Sequence, residues 1–169
     1  MGPQVSAAAG PRSPSEHEVK AEFIERFTRF IDWPGSAFAS STAPFVVCAW
    51  GQNSLTSQLE RVVNRGPIKA RPVRLLYVES RDKLQPCHIL YVASSDRAVI
   101  RGIVVSTRGK PTLSVGDQPG LAEEGLVINL FVDEKGFVRF EVNLEAARLS
   151  GLKISAKLLR LARLVGPRK

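Results

Sequence analysis

Few residues in this 169-residue chain are equipped for catalysis. The histidines are His17 and His88, and His17 falls at an expected helix start. A Ser-His-Asp or Cys-His arrangement would therefore have His88 as its one base. Cys87 and His88 are neighbours in an expected strand, so their side chains point to opposite faces and cannot pair with each other. His88 reads instead as a buried histidine making structural hydrogen bonds. The two cysteines, Cys48 and Cys87, are too few for a disulfide scaffold and lack the close spacing of a zinc or thioredoxin-type site. Two separate buried thiols and a cross-strand disulfide both fit the pattern, and the second requires an oxidising compartment. No phosphate-binding loop, dinucleotide fingerprint or calcium-loop spacing is present, so no cofactor and no metal is expected. An enzyme is the least favoured class.

Charge is the other chemical resource. The formal net charge is +8, and residues 145–169 carry a net +6 of it. Lys153, Lys157 and Arg160 recur at i, i+4 and i+7, which places them on one face if the segment is helical. With Arg139 and Arg148 they form the candidate anion-binding set. Helix-borne cations can neutralise phosphates. This stripe, however, has no interleaved aromatics, no Asn or Gln to read bases and no recognisable nucleic-acid-binding fold. A solvated face is the plain reading. An anionic small molecule such as a nucleotide, or a membrane surface, comes before nucleic acid.

The elements that would position these residues alternate. Ser15-Glu16-His17-Glu18 has capping-box spacing. Phe23, Ile24, Phe27, Phe30 and Ile31 then follow at helical intervals up to the break at Trp33-Pro34-Gly35. The continuous apolar run Phe45 to Trp50, closed by Gly51, predicts a strand covered on both faces. A helix over residues 54–64 and strands at Val73 to Val78 and Cys87 to Ala93 complete a βαβ pattern, with Glu79 to Gln85 holding at most a helical turn. Ser94-Ser95-Asp96 offers N-cap residues for a helix to about Ser106, and Thr112 to Val115 is a short strand. Leu126 to Val132 and Phe137 to Val142 are separated by Asp133-Glu134-Lys135-Gly136 and read as a β-hairpin. Gly125 and Gly136 are read as turn glycines with positive φ. Two short helices follow Asn143, the second with Ile154, Leu158, Leu161, Ala162 and Val165 on one face.

These elements predict an α/β fold, a single domain over residues 16–169. Its sheet is mixed, largely parallel and of about six strands flanked by helices, with a C-terminal β-hairpin edge and terminal helices. Residues 1–15, rich in Ala, Gly, Pro and Ser, are read as a disordered tail or an added expression leader. They lack the basic start and apolar stretch of a signal peptide, so the chain is either cytosolic or has lost its signal. No run reaches the roughly 18 apolar residues that would span a bilayer.

Several segments together resemble the YfiR-like family of periplasmic regulators. They are Lys20 to Pro34 (KAEFIERFTRFIDWP), Phe45 to Gly51 (FVVCAWG), Cys87 to Val92 (CHILYV), Leu113 to Asp117 (LSVGD) and Phe140 to Val165. The resemblance implies an α/β fold, export to the periplasm and no catalytic centre. It also implies control of a membrane-bound diguanylate cyclase, or another membrane sensor protein, through contact with its periplasmic part. Carried onto this sequence, it implies a disulfide between Cys48 and Cys87, for stability first and redox sensing second. Two departures are visible: Glu123-Glu124 precedes Gly125-Leu126 where the family commonly has a glycine pair, and no signal peptide is seen. A periplasmic receptor for an anionic small molecule is the alternative function, and a cytosolic nucleic-acid-binding protein is a more distant one. A homodimer is an open possibility, through the hairpin or the first helix.

Overall fold

The structure is a computed structural model that describes residues 15–80 and 85–167. The N-terminal tail, apart from Ser15, and most of the expected turn at 79–85 lie outside the described residues.

Helix α1 (Glu16–Phe27) begins where the sequence places it, with Ser15 Oγ accepting from the Glu18 N–H at 3.2 Å. It buries Ala21, Ile24 and Phe27 but ends a turn earlier than the apolar spacing suggests. The Thr28 hydroxyl donates to the Glu25 carbonyl at 2.6 Å, and Ile31 leaves the helix for the two-residue strand β1 (Ile31–Asp32). A short 3-10 turn, Gly35–Ala37, leads to β2 (Phe45–Trp50). Helix α2 (Ser54–Val63) starts with a reciprocal capping box between Asn53 and Thr56, which satisfies two of the free N–H groups of its first turn.

After α2 come β3 (Val73–Val78), β4 (Ile89–Val92), α3 (Arg97–Thr107), β5 (Leu113–Gly116), α4 (Leu121–Glu124) and β6 (Ile128–Val132). The chain closes with β7 (Val138–Asn143), α5 (Leu144–Leu149), β8 (Lys153–Ile154), α6 (Ala156–Leu161) and β9 (Arg163–Val165). The main sheet runs β3-β2-β4-β5-β6-β7-β9, seven strands among the described residues. Every pairing from β3 to β6 is parallel, β6 and β7 are antiparallel, and β9 lies parallel to β7. β1 and β8 form a separate antiparallel pair.

Both faces of the sheet are buried, which is why β2 and β4 read as unbroken apolar runs. On one face α1 and α2 pack Ile24, Phe27, Leu55 and Leu59 over Phe45, Val47, Ile89 and Val115. On the other, Ile100, Ile103, Leu121 and Leu126 cover Cys48, Leu90 and Val92.

The C-terminal part departs from expectation in two ways. The hairpin is not the last element of the sheet, because β9 covers the outer side of β7. The last helix is also shorter than its apolar spacing suggests. Ser155 Oγ accepts from the Leu158 N–H and sets the helix start after Ile154, while Ala162 turns extended (φ −89°, ψ 153°). Pairing with Glu141–Asn143 supplies hydrogen bonds to a sheet edge that would otherwise present unpaired backbone groups. Lys153 consequently sits in β8, and the expected i, i+4, i+7 row with Lys157 and Arg160 is not a face of one helix.

The tight α4–β6 connection turns on Gly125, whose φ of +123° is one that side chains rarely adopt. A Cβ there would meet Val104 Cγ1 at 2.8 Å. Gly125→Ala is expected to lower unfolding free energy by about 1–3 kcal/mol through strain and overpacking, read as a shift of the urea midpoint with unchanged slope.

Candidate functional site

Cys48 in β2 and Cys87, two residues before β4, are joined by a disulfide with their Cα atoms 5.9 Å apart. Both sulfurs lie on the α3 side of the sheet, with Cys48 fully buried and Cys87 nearly so. The Cys87 carbonyl accepts from Thr112 Oγ1 at 2.8 Å, which ties the same point to the start of β5.

His88 points to the opposite face, as strand alternation requires. Its Nδ1 accepts from the Val46 N–H at 2.9 Å, and its Nε2 lies 2.8 Å from the Ala37 carbonyl oxygen. Because Nδ1 is an acceptor, the proton is on Nε2, which donates to Ala37. Burial holds the His88 pKa below its ordinary value, the bond to Ala37 opposes this, and the Arg71 charge adds to the lowering. The imidazole is a structural bridge with no free nitrogen.

A polar cluster invisible to local sequence reasoning lies at the carboxyl ends of the strands. The strand order reverses between β2 and β4, the position at which open α/β sheets commonly take ligands. Here α1 contributes Lys20. Lys20 Nζ reaches Asp117 Oδ2 at 3.4 Å and Glu16 Oε1 at 3.3 Å. The Tyr91 hydroxyl donates to Asp117 Oδ1 at 3.0 Å and accepts from Asn53 Nδ2 at 3.1 Å. Burial first, and then the Asp117 carboxylate, push the Tyr91 pKa up, so the phenol remains a donor. Lys20 and Asp117 are 97 residues apart, so no spacing rule could have paired them.

The five expected cations are dispersed. Arg139, on β7, faces Asp133 at 4.0 Å and lines an open concavity of about 670 Å³ with Phe131, Phe137, Lys135 and Arg163. Asp133 and Glu134 share that lining and offset its positive charge. Arg148 is engaged by Glu145 at 2.6 Å within α5, and the pairing lowers the Glu145 pKa. Lys153 is exposed on β8, and Lys157 and Arg160 are exposed on α6. Arg163, not singled out from the sequence, bonds Glu141 at 3.0 Å and stacks on Phe131 with its guanidinium carbon 4.4 Å from the ring centroid.

Several large apolar side chains are exposed on the C-terminal elements. Phe137 is 63% exposed, Leu161 64% and Leu164 52%, with Leu144, Leu149 and Val132 also exposed. Phe137 and Val132 line the hairpin concavity with Arg139 and Arg163, Leu161 and Leu164 stand two residues before and one after Arg163 in the chain, and Leu144 and Leu149 lie on α5, beyond the other end of β7. Among the described residues no helix is long and apolar enough to cross a membrane.

A family profile described as YfiR/HmsC-like matches residues 17–163. The chain belongs to the YfiR/HmsC-like family. At family level this is a group of periplasmic regulators of diguanylate cyclases. Comparison with curated proteins gives no significant match. Among solved structures, the chain is similar to the ABC domain in complex with L-Trp from Streptococcus pneumonia, at 12% identity and a TM-score of 0.55 over 88% of this chain. It is also similar to a conserved domain protein from Vibrio cholerae O1 biovar El Tor, at 14% identity and a TM-score of 0.57 over 91% of this chain. The chain spans 60% of the length of each of these structures. At these identities the likeness is one of fold.

The bridge spans 39 positions, so in the chain-entropy account it is expected to contribute roughly 2–4 kcal/mol by restricting the unfolded state. Urea titrations with and without reductant should show that loss. A midpoint unmoved by reduction, with both thiols shown to be free, would mean that the bridge adds nothing.

Proposed function

We propose that this protein binds the periplasmic sensor part of a membrane diguanylate cyclase and represses it, so lowering cyclic di-GMP signalling. Family membership supports this class of partner. The observation that carries the reading to residues is the exposure of Phe137, which lines one concavity with Arg163, and of Leu161 and Leu164 close to Arg163 in the chain. Large apolar side chains exposed on neighbouring edge elements are a candidate contact surface. Apolar side chains that become fully desolvated are the usual source of binding energy, while Arg139, Lys157 and Arg160 around them would steer encounter more than affinity.

Repression in this reading is by binding, not by catalysis. The regulator holds the cyclase in an inactive arrangement to the extent that it binds that arrangement more tightly than the active one. Its release follows reduction of the bridge, local unfolding or capture by another envelope partner. The dispersal of Arg139, Arg148, Lys153, Lys157 and Arg160, with the first two already facing carboxylates, gives a receptor for an anionic small molecule less support.

The test is calorimetric titration of the purified chain against the periplasmic domain of a membrane diguanylate cyclase from the same organism. Leu161→Asp combined with Leu164→Asp is expected to weaken binding by at least about tenfold while leaving the fold intact, since both residues are exposed. Unchanged affinity in that variant would move the contact to another face.

A further inference from the structure

The Cys-His pair of the sequence leaves one residue without a role in partner binding. His88 is 7% exposed and lies in a column of rings. Phe38 stacks on it at 4.3 Å with an interplanar angle of 15°, and Phe45 at 5.0 Å and 26°. Phe45 in turn takes the Trp33 ring edge-on at 5.1 Å. The Trp33 indole N–H donates to the His88 carbonyl at 3.1 Å.

Residues 34–44 run over this column with little regular structure of their own, and two side chains fasten them. His88 Nε2–H holds the Ala37 carbonyl, as described above. Arg71 Nη1 donates to the Ser40 and Ala43 carbonyls at 2.9 and 2.8 Å, and the Arg71 guanidinium carbon lies 3.7 Å from the Phe38 ring centroid. Arg71 is delivered by a turn in which Lys69 and Ala70 both have positive φ, 50° and 60°, and in which the Ile68 and Arg71 backbones bond each other. Lys69 sits over Trp33 at 5.8 Å and pairs with Asp32 at 3.7 Å.

Protonation of this imidazole is incompatible with its surroundings. A proton on Nδ1 turns an acceptor into a donor pointing at the Val46 N–H, so the bond from Val46 is replaced by two opposed donors. The cation would be nearly out of water, with Arg71 on the far side of Phe38, Lys69 beyond Trp33, and the uncharged Cys48–Cys87 bridge on the other side of the sheet. Asp32, the carboxylate that faces Lys69 here, is engaged by it and is 81% exposed.

We infer that His88 is a proton-sensitive latch: taking up a proton, it must leave its place between Phe38 and Phe45, and residues 34–44 are released from the sheet. The sign follows from the lowered pKa. Above the ordinary imidazole value of 6.5 the closed and open states are both neutral at His88 and the latch is fully effective. As pH falls below that value the open state binds a proton that the closed state does not, so opening is favoured. One proton taken up on opening raises the open population by about tenfold per pH unit below the onset. A protein exposed to a periplasm that follows external pH would meet this range, and the inference concerns the free chain whatever partner it binds.

Hydrogen exchange of the amides of residues 37–43, corrected for intrinsic rates, would be followed from about pH 7.5 to pH 5. Emission of Trp33 in a Trp50→Phe background would be recorded in parallel. Loss of protection approaching tenfold per unit and a red shift of Trp33 are expected in the parent chain and in His17→Gln, which removes the other histidine. His88→Asn retains an acceptor suited to the Val46 N–H but does not titrate, and its exchange should be flat across the range. Protection that stays constant in the folded parent chain would overturn the latch. So would an acid transition that persists unchanged in His88→Asn.

Discussion

The two consecutive residues Cys87 and His88 fasten the entrance of β4 to β2 from opposite faces of the sheet, and the positions of most other elements depend on that pairing. On the α3 side the fastening is covalent, through Cys48. On the α1 side it is a hydrogen bond from the Val46 N–H to the imidazole. β2 and β4 are the pair at which the strand order reverses, so α1 and α2 are placed on one face and α3 and α4 on the other by how this pair is held. The His88 backbone continues the ladder, its N–H donating to the Val46 carbonyl and its carbonyl accepting from the Leu113 N–H. One dipeptide therefore links β2, β4 and β5, together with Trp33 and the residues 34–44 that precede β2.

Much of this architecture is legible locally. Apolar runs bounded by Gly51 and by the Ser94–Asp96 cap give the βαβ order, because strands buried on both faces cannot be anything but apolar. Ser15, Asn143 and Asp96 each cap the helix that follows, as their short polar side chains allow. The hairpin follows from Asp133 to Gly136, where Asp133 Oδ1 accepts from the N–H groups of Lys135 and Phe137 and Gly136 takes φ +87°. What the sequence hides is long-range. β8 and β9 are two and three residues long, too short to show a period of two, and each exists because a partner strand far away in the chain offers a free edge. Leu158, Leu161, Ala162 and Val165 suit a helix as well as they suit a turn followed by an edge strand. The competition is decided by the open side of β7, which no window of the sequence contains.

The candidate site shows the same division. The pairing of Arg148 with Glu145 is an i, i+3 contact that spacing could have revealed, and it removes one cation from the expected anion set. The pairing of Arg163 with Glu141 and of Lys20 with Asp117 required the folded chain. Among the described residues the cations of the C-terminal quarter do not converge: Arg148 and Arg163 face carboxylates, and Lys153, Lys157 and Arg160 are exposed on β8 and α6. Exposed charges that stand singly gain little from pairing in water, so dispersal of this kind gives weak purchase on an anion.

The two fastenings of β4 differ in what can undo them. A disulfide is opened by thiol exchange and is indifferent to moderate acidity, since neither sulfur carries a proton. The imidazole bond is indifferent to reductant and is opened by acid. Each alone leaves the other in place, so neither condition need dissolve the sheet: reduction slackens the α3 side, and protonation frees the segment that lies over the α1 side. Local steps of this kind leave the domain folded, which matters because the whole stability of a domain this size is only about 5–15 kcal/mol. Placing both fastenings on adjacent residues of one strand makes the two local steps act on the same pairing, while the parallel ladder from β3 to β6 keeps the remaining core intact.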